Sequence, residues 1–571
     1  MTYSIAAALL LLVLCLGYFG RRRLMLSRAK HRSLAGHARL ARRIVRLIPF
    51  YEYDEQRFFR ADAAPERIAE QRRAGFFALA GLYAQRFART AALTAEIEDA
   101  VSDVQFTARY RVPFQFSRLV RKHLKAGVFL ESSAGPMVTD LDGNRLYDLS
   151  GSYGVNLLGY DFYKACIARG AARVEALGPV LGAYHPVLAD NVRSLRALSG
   201  LEEVSFHMSG TEAVMQAVRL ARYHTRRRYL VRFCGAYHGW WGDVQPGVGN
   251  PLPAPDTYTL KDMHPASLRV LASRRDIACV LVNPLQALHP NANAPSDNQL
   301  VTGPRRAGVD RAAYAAWLRA LRKVCTERGI VLIFDEVFVG FRLALGGAQE
   351  YFGVRADMVT YGKTLGGGLP VGVLCGRAPL MKRFREDRPA DVCFARGTFN
   401  SHPYVMGAMN EFLRYVASEP ARALYAGLDE RWNARAAELN ARLAAAGLPV
   451  QVANLSSIWT FNYTQPSRYH WMLQYYLRAA GLALSWVGTG RLIFSIDYSD
   501  ADFAQVTERI ISAACAMQRD GWWWGGEAAS PRALRRRVLA ELLQARWASS
   551  TSTSSIGSMS SPRSSAKGAP Q

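Results

Sequence analysis

Apolar residues run almost unbroken from Tyr3 to Phe19, with Ala6–Leu16 wholly apolar at the centre. At about 1.5 Å rise per residue, a membrane-spanning helix needs roughly 17–25 residues, and this run lies at the short end. Next, Leu40, Ile44, Leu47 and Ile48 recur at helical spacing with arginines between them. Residues 50 to about 115 read as helices carrying both signs of charge. The middle of the chain alternates strand-like and helix-like runs. Glu203–Met208, Tyr229–Phe233 and Ile330–Phe334 have the apolar character of buried strands, while Val214, Ala217, Val218 and Ala221 have the spacing of a helix face. Such alternation predicts an α/β architecture. Helices and short strands continue from about 410 to 520. Arg532–Ala548 predicts a basic helix, and Ser549–Gln571, rich in Ser, Thr and Gly without periodicity, predicts disorder.

Charge sharpens the reading of the front end. The formal net charge is +26, and ten cationic residues lie between Arg21 and Arg46 with no acid among them. No zinc-finger, RNA-recognition or helix-turn-helix pattern accompanies them, which argues against nucleic acid as a partner. No Lys or Arg precedes the apolar run and no small-x-small site follows it, so a retained anchor over 1–21 is favoured over a cleaved signal peptide. Arg21, Arg22 and Arg23 follow directly, which predicts that the catalytic portion faces the cytoplasm. The basic helix around residues 40–48 suits an anionic membrane surface, or equally a solvated helix face packed on the enzyme. The eight cysteines are scattered without a C-x-x-C pair and no metal-binding spacing is present; isolated cysteines such as Cys279 read as buried reduced thiols. Trp522-Trp523-Trp524 reads as core packing ahead of a membrane-interface belt.

Four segments carry candidate chemistry. Ser209-Gly210-Thr211, between a strand and a helix, offers backbone N–H groups and a hydroxyl at a helix N-terminus, a site for a phosphate or an ordinary cap. Tyr237, between Gly235 and Gly239, sits in a plain turn or stacks on a flat ring. Asp335 ends an apolar strand, where open α/β sheets bind ligands. A buried carboxylate there needs a cationic partner, either a protonated ring nitrogen or an arginine such as Arg342. Lys363, set among glycines and apolar residues, is placed to become a nucleophilic amine; the segment lacks the spacing of a P-loop. A phosphate cup, a ring stacker, a carboxylate and a lysine, in this order, match the requirements of pyridoxal 5′-phosphate.

These residues, with Asp140–Arg145, Gly151–Gly154, Asp335–Arg342, Gly346–Gly353, Gly362–Pro370 and Gly397–Pro403, resemble the class-III aminotransferases, closest to the glutamate-1-semialdehyde aminomutase branch, over about residues 116–520. The resemblance implies a fold-type-I transferase with a mostly parallel central sheet in a large domain and a small α+β domain. It implies that Lys363 carries the cofactor as a Schiff base and shuttles a proton, and that Asp335 pairs with the ring nitrogen. Tyr237 and Val337 would flank the ring. Ser209, Gly210 and Thr211 would hold the phosphate, joined by Thr398 from the other subunit of a homodimer. Tyr153 falls at an aromatic position of the substrate pocket.

The expected organisation is an anchor (1–21), a basic helical region (22–115), the start of the transferase (116–200), the large cofactor-binding domain (201–410), the small domain (411–525) and a basic helix with a tail (526–571). The sequence departs from the family at Asn283, where Glu-Pro is common, and at Met208, where an asparagine is usual. The aminomutase branch also has a gating glutamate in the C-terminal domain. Here the corresponding stretch Ser485–Ser495 contains no acid and carries Arg491, suited to a substrate carboxylate. The expected reaction is therefore amino transfer from a small-molecule donor to a separate carbonyl acceptor. The alternatives are a 2,1-aminomutase and a catalytically idle scaffold, the latter opposed by the joint retention of Lys363, Asp335 and Tyr237.

Overall fold

The computed structural model describes residues 2–31, 37–245, 252, 254–291, 307–484, 490–525 and 530–554. Its centre is a seven-stranded sheet in the order β4 (Glu203–His207), β10 (Gly372–Gly376), β9 (Met358–Gly362), β8 (Val331–Asp335), β7 (Ile277–Val282), β5 (Tyr229–Phe233) and β6 (Thr257–Leu260). All run parallel except β10, which is antiparallel to both β4 and β9. Every residue of β7, β8, β9 and β10 is buried. That is the signature of a sheet covered on both faces, and explains why these strands read as continuous apolar runs. The covering helices are set by local signals. Ser209 caps the helix Gly210–Thr225, which buries Ala213, Val214, Ala217, Val218 and Ala221. Asp310 caps Arg311–Arg328, which ends at the left-handed Gly329.

Two smaller sheets complete the fold. The strands β1 (Leu130–Ala134), β2 (Met137–Asp140), β3 (Arg145–Asp148) and β13 (Leu482–Ala483) form one; β11 (Val450–Leu455), β12 (Ile458–Tyr463) and β14 (Arg491–Ile493) form the other.

The helical region before residue 115 is part of the protein's core. Phe58 stacks edge-on against Phe76, Phe116, Trp471 and Trp522. Arg72, buried in the helix Glu66–Arg86, makes a bidentate pair with buried Asp62 at 2.8 and 2.7 Å and donates to Phe59 O and Gly521 O. Trp522 and Trp523 are buried, and their indoles donate to Tyr476 Oη and His470 Nδ1, so the tryptophan run packs inward as expected.

The first helix runs Thr2–Ala29, beyond the boundary expected at residue 21. Its apolar part, Leu9 to Phe19, is exposed, while its basic end docks on the rest of the protein through Lys261, which donates to the carbonyls of Arg28 and Ala29. The C-terminal basic helix extends over Pro531–Ser554, so the first six residues expected to be disordered are helical; residues 555–571 lie outside the described residues.

Candidate active site

The C-terminal ends of β4, β5, β7, β8 and β9 meet at one edge of the sheet, and each delivers a side chain or turn there. Asp335, the last residue of β8, is buried. Its Oδ2 lies 2.8 Å from His238 Nδ1, and its Oδ1 accepts from Val337 N at 3.2 Å and Thr360 Oγ1 at 3.3 Å. Burial pushes the His238 imidazole below its usual range, against the opposing pull of Asp335. A neutral ring donates through Nδ1–H and adds no positive charge. His238 was not singled out from the sequence, although it stands inside the Tyr237–Gly239 motif. Arg342, the alternative partner for Asp335, is excluded. Fully buried, it donates to the carbonyls of Gly154, Asn156 and Phe494 and to Ser457 Oγ.

Lys363 follows β9 with φ of +50°, an unusual conformation for a residue with a side chain. Its side chain crosses Gly154: a Cβ built there would lie 3.3 Å from Lys363 Cδ and 2.6 Å from the Phe338 ring. The Lys363 ammonium sits 5.7 Å from the centre of that ring. Burial above all, then the Arg342 guanidinium, pushes the amine down to about 8; Asp335 pulls the other way, and Arg491 adds a smaller push downward. The site thus holds an amine that is partly unprotonated near neutral pH.

The phosphate-cup segment is brought beside Asp335 and the aromatic turn. A Cβ on Gly210 would lie 2.6 Å from Val337 Cγ1, and one on Gly239 would lie 2.5 Å from Thr211 Oγ1. The Ser209 hydroxyl accepts from Glu212 N at 3.3 Å, while Glu212 accepts from Met208 N at 3.0 Å. The helix-cap reading of Ser209 is therefore realised, leaving the N-terminal N–H groups of Gly210 and Thr211 at the helix entrance. Tyr237 projects with 63% of its surface exposed. Its carbonyl accepts from Asn283 Nδ2 at 2.9 Å, so the departure at Asn283 has a local use, as the clamp on the Tyr237 turn.

The residues expected on the substrate side, Tyr153 and Arg491, lie on the Gly151–Gly154 turn and on β14. A Cβ on Gly151 would lie 2.7 Å from Ile493 O, so the turn carrying Tyr153 packs against the strand carrying Arg491. Ser152 and Tyr153 both have positive φ, consecutive strained residues of the kind that functional sites retain. Arg491 Cζ lies 5.7 Å from the Phe338 ring centre, the ring that Lys363 also faces. Burial pushes its guanidinium down to about 10, and Arg491 Nε is buried without a hydrogen-bond partner among the described residues. Residues 485–489 of the stretch expected to hold a gating acid lie outside the described residues. Thr398 makes no hydrogen bond to the Ser209–Thr211 turn among the described residues. It lies exposed in a turn; its neighbour Gly397 lines a cavity of about 450 Å³ together with Glu212, His207 and Trp241.

Comparison with known proteins places this site in a family. The family model described as Aminotransferase class-III matches residues 119–514. Glutamate-1-semialdehyde 2,1-aminomutase of Geotalea daltonii is 32% identical over 396 residues, 65% of this chain and 85% of that protein. The same-named protein of Hyperthermus butylicus is 36% identical over 309 residues, 52% of this chain and 70% of that one. A transaminase solved with pyridoxal phosphate bound superposes with a TM-score of 0.60 at 25% identity, covering 75% of this chain and 97% of its own. A glutamate-1-semialdehyde aminomutase from Pseudomonas aeruginosa shares the fold, with a TM-score of 0.62 at 18% identity over 78% of this chain and 98% of that one.

Proposed function

The chain belongs to the class-III aminotransferase family, which works through pyridoxal 5′-phosphate, and on that premise we propose that it is a membrane-tethered transaminase joining a separate amino donor and carbonyl acceptor. The residues present fit the cofactor. Asp335 is a buried carboxylate whose donors, His238, the Val337 amide and Thr360, are neutral, and a cationic ring nitrogen would balance its charge. Gly210 lacks room for a Cβ against Val337, and its N–H and that of Thr211, first in their helix, would meet an anion there. Bound pyridoxal phosphate supplies an electron sink for charge developing at the substrate carbon that loses its proton.

The chain's own groups have the following work on this reading. Lys363 Nζ would hold the cofactor through its aldehyde and, with its affinity for protons brought near neutrality, would take a proton from substrate and return it. Asp335, oriented by His238 and Thr360, keeps the ring nitrogen protonated. Tyr237 and Val337 bracket the ring, and Gly210 and Thr211, with the turn at Ser209, hold the phosphate. Thr398, exposed on its own chain, completes that site from a second subunit, so the enzyme works as a homodimer. The apolar helix is the tether, with the catalytic portion on the cytoplasmic side; its exposed apolar stretch and docked basic end support this.

The observation that carries transamination is that the stretch Ser485–Ser495 holds no acid, where the aminomutase branch has its gating glutamate, and carries Arg491 instead. Arg491 is half-buried, its Nε has no hydrogen-bond partner among the described residues, and it faces the same ring as Lys363, where it would receive a substrate carboxylate. An aminomutase must instead retain its diamine intermediate between half-reactions. The names of the relatives favour that second reading. Kinetics decide between them. Amino transfer from a separate donor, with stoichiometric keto product, supports the proposal; efficient conversion of glutamate-1-semialdehyde to 5-aminolevulinate without added donor overturns it.

A further inference from the structure

The helix Pro531–Ser554 lies outside the catalytic machinery, yet its two sides differ sharply. Leu534 and Val538 are buried. Glu541, its one acid, is turned inward: Tyr53 Oη donates to it at 2.6 Å, and the buried Arg468 guanidinium at 2.9 Å. At about 100° per residue, the side opposite these three carries Arg532, Arg536, Leu539, Leu543 and Trp547, flanked by Arg535 and Arg546. Leu539 and Leu543 are each 59% exposed and Trp547 73%. The outward face therefore presents four arginines and three large apolar side chains in a line, with no acid. Arg546 donates to Leu47 O at 3.1 Å, which joins this face to the exposed Leu47, Ile48 and Phe50.

We propose that this face is a second membrane contact, laying Leu539, Leu543 and Trp547 into the headgroup boundary of an anionic bilayer while the arginines meet lipid phosphates. Aligned apolar side chains among arginines, with a tryptophan in the line, match an interfacial helix. A second copy of the same face is the poorer occupant, because two such faces would oppose arginine with arginine and no acid to relieve them. Turning Glu541 inward leaves the outward surface purely cationic. The inference deepens the membrane reading above, and its test separates the two.

Full-length enzyme is placed in vesicles of phosphatidylcholine alone, or of phosphatidylcholine with phosphatidylglycerol, carrying brominated acyl chains that quench tryptophan. The Trp547→Phe variant isolates that residue's signal. Trp547 is expected to be quenched in the anionic vesicles, with the effect lost at high salt. Absence of Trp547 quenching in anionic vesicles, or equal quenching in both lipids, overturns the proposal. So does shielding of Trp547 that grows with protein concentration but never responds to brominated lipid, which would give the face to a second copy. In the full-length Leu10→Arg/Leu12→Arg variant, whose apolar helix can no longer span, partitioning onto anionic vesicles should persist. It should then fall on the order of 100-fold when Arg532, Arg535 and Arg536 become Gln, at roughly 5-fold per arginine. Failure of that variant to bind anionic vesicles at all would equally overturn it. Carbonate extraction of the unmutated chain tests the tether alone: release together with intact Trp547 quenching would sink the anchor and leave this contact standing.

Discussion

Burial and two nearby guanidinium groups should make Lys363 of the cofactor-free enzyme titrate near 8 rather than at the usual 10.5. At about 1.36 kcal/mol per pH unit, the fold disfavours the ammonium form by about 3 kcal/mol. At a pH of about 7.5, about a quarter of the amine is then free base, against about one part in a thousand for an ordinary lysine, a gain on the order of 200-fold in the reactive form. The sign for stability follows. Between about 8 and 10.5 the unfolded chain binds the proton that the folded apoenzyme has released, so this group raises stability as pH climbs through that window, and its penalty is fully present below it. Competitive acetylation with trace labelled anhydride, read on the Lys363 peptide across neutral and alkaline pH, measures the titration directly. Two variants test the cause: Asp335→Asn removes an anion that favours the ammonium and should lower the midpoint further, whereas Arg491→Met removes a cation and should raise it. A midpoint at about 10 or above, or shifts of the same sign in both variants, would refute the electrostatic account.

Asp335→Asn should keep the cofactor's visible absorbance but lose about 10²–10³-fold in turnover, the usual scale for one preorganised electrostatic group; near-normal turnover would give the strand-end carboxylate another job. Arg72→Met leaves the Asp62 carboxylate buried without its bidentate partner, and should cost about 3–5 kcal/mol in chemical denaturation. The double variant Arg72→Met/Asp62→Leu should recover part of that loss, and a single variant as stable as the parent would show that the pair does not secure the N-terminal helices.

How far the sequence reached follows from what kind of information each feature needs. The strands of the central sheet and the turns after them were legible because burial on both faces forces continuous apolar runs, and because a glycine or capping residue must follow. Asp335, Lys363 and the Ser209–Thr211 turn were found this way, and the structure brings the three segments to one edge. The partner of Asp335 was not legible. Arg342 is seven residues away in the chain, but Phe341 has φ of +62° and the guanidinium beyond it turns to the carbonyls of Gly154 and Asn156. His238, which follows β5, reaches Asp335 at the end of β8 across the one intervening strand β7, a neighbourhood that only the strand order reveals. The region before residue 115 was opaque for the same reason: Tyr83 donates to the carbonyl of Tyr475, 392 residues on, and no local pattern encodes such a contact.

The charges around Lys363 also constrain what the site can accept. Arg342 and Arg491 both act on this amine, and Asp335 is the acid that opposes them. Arg342 directs its two terminal guanidinium nitrogens to three carbonyls and a hydroxyl, while its Nε has no partner among the described residues and its charge is left uncompensated. Burial lowers both guanidinium groups to about 10, a mark of cations that lack a full counter-charge. On the proposed reading, Asp335 is committed to the ring nitrogen, so the field left in the pocket is positive. A substrate carboxylate at Arg491 would relieve it and at the same time raise the proton affinity of Lys363, since it cancels one of the cations that depress it. Substrate binding would thereby prepare the amine to accept the proton it must take. An uncharged amine of similar size would gain neither the contact nor that adjustment, so the geometry favours carboxylate-bearing donors through both binding and proton transfer.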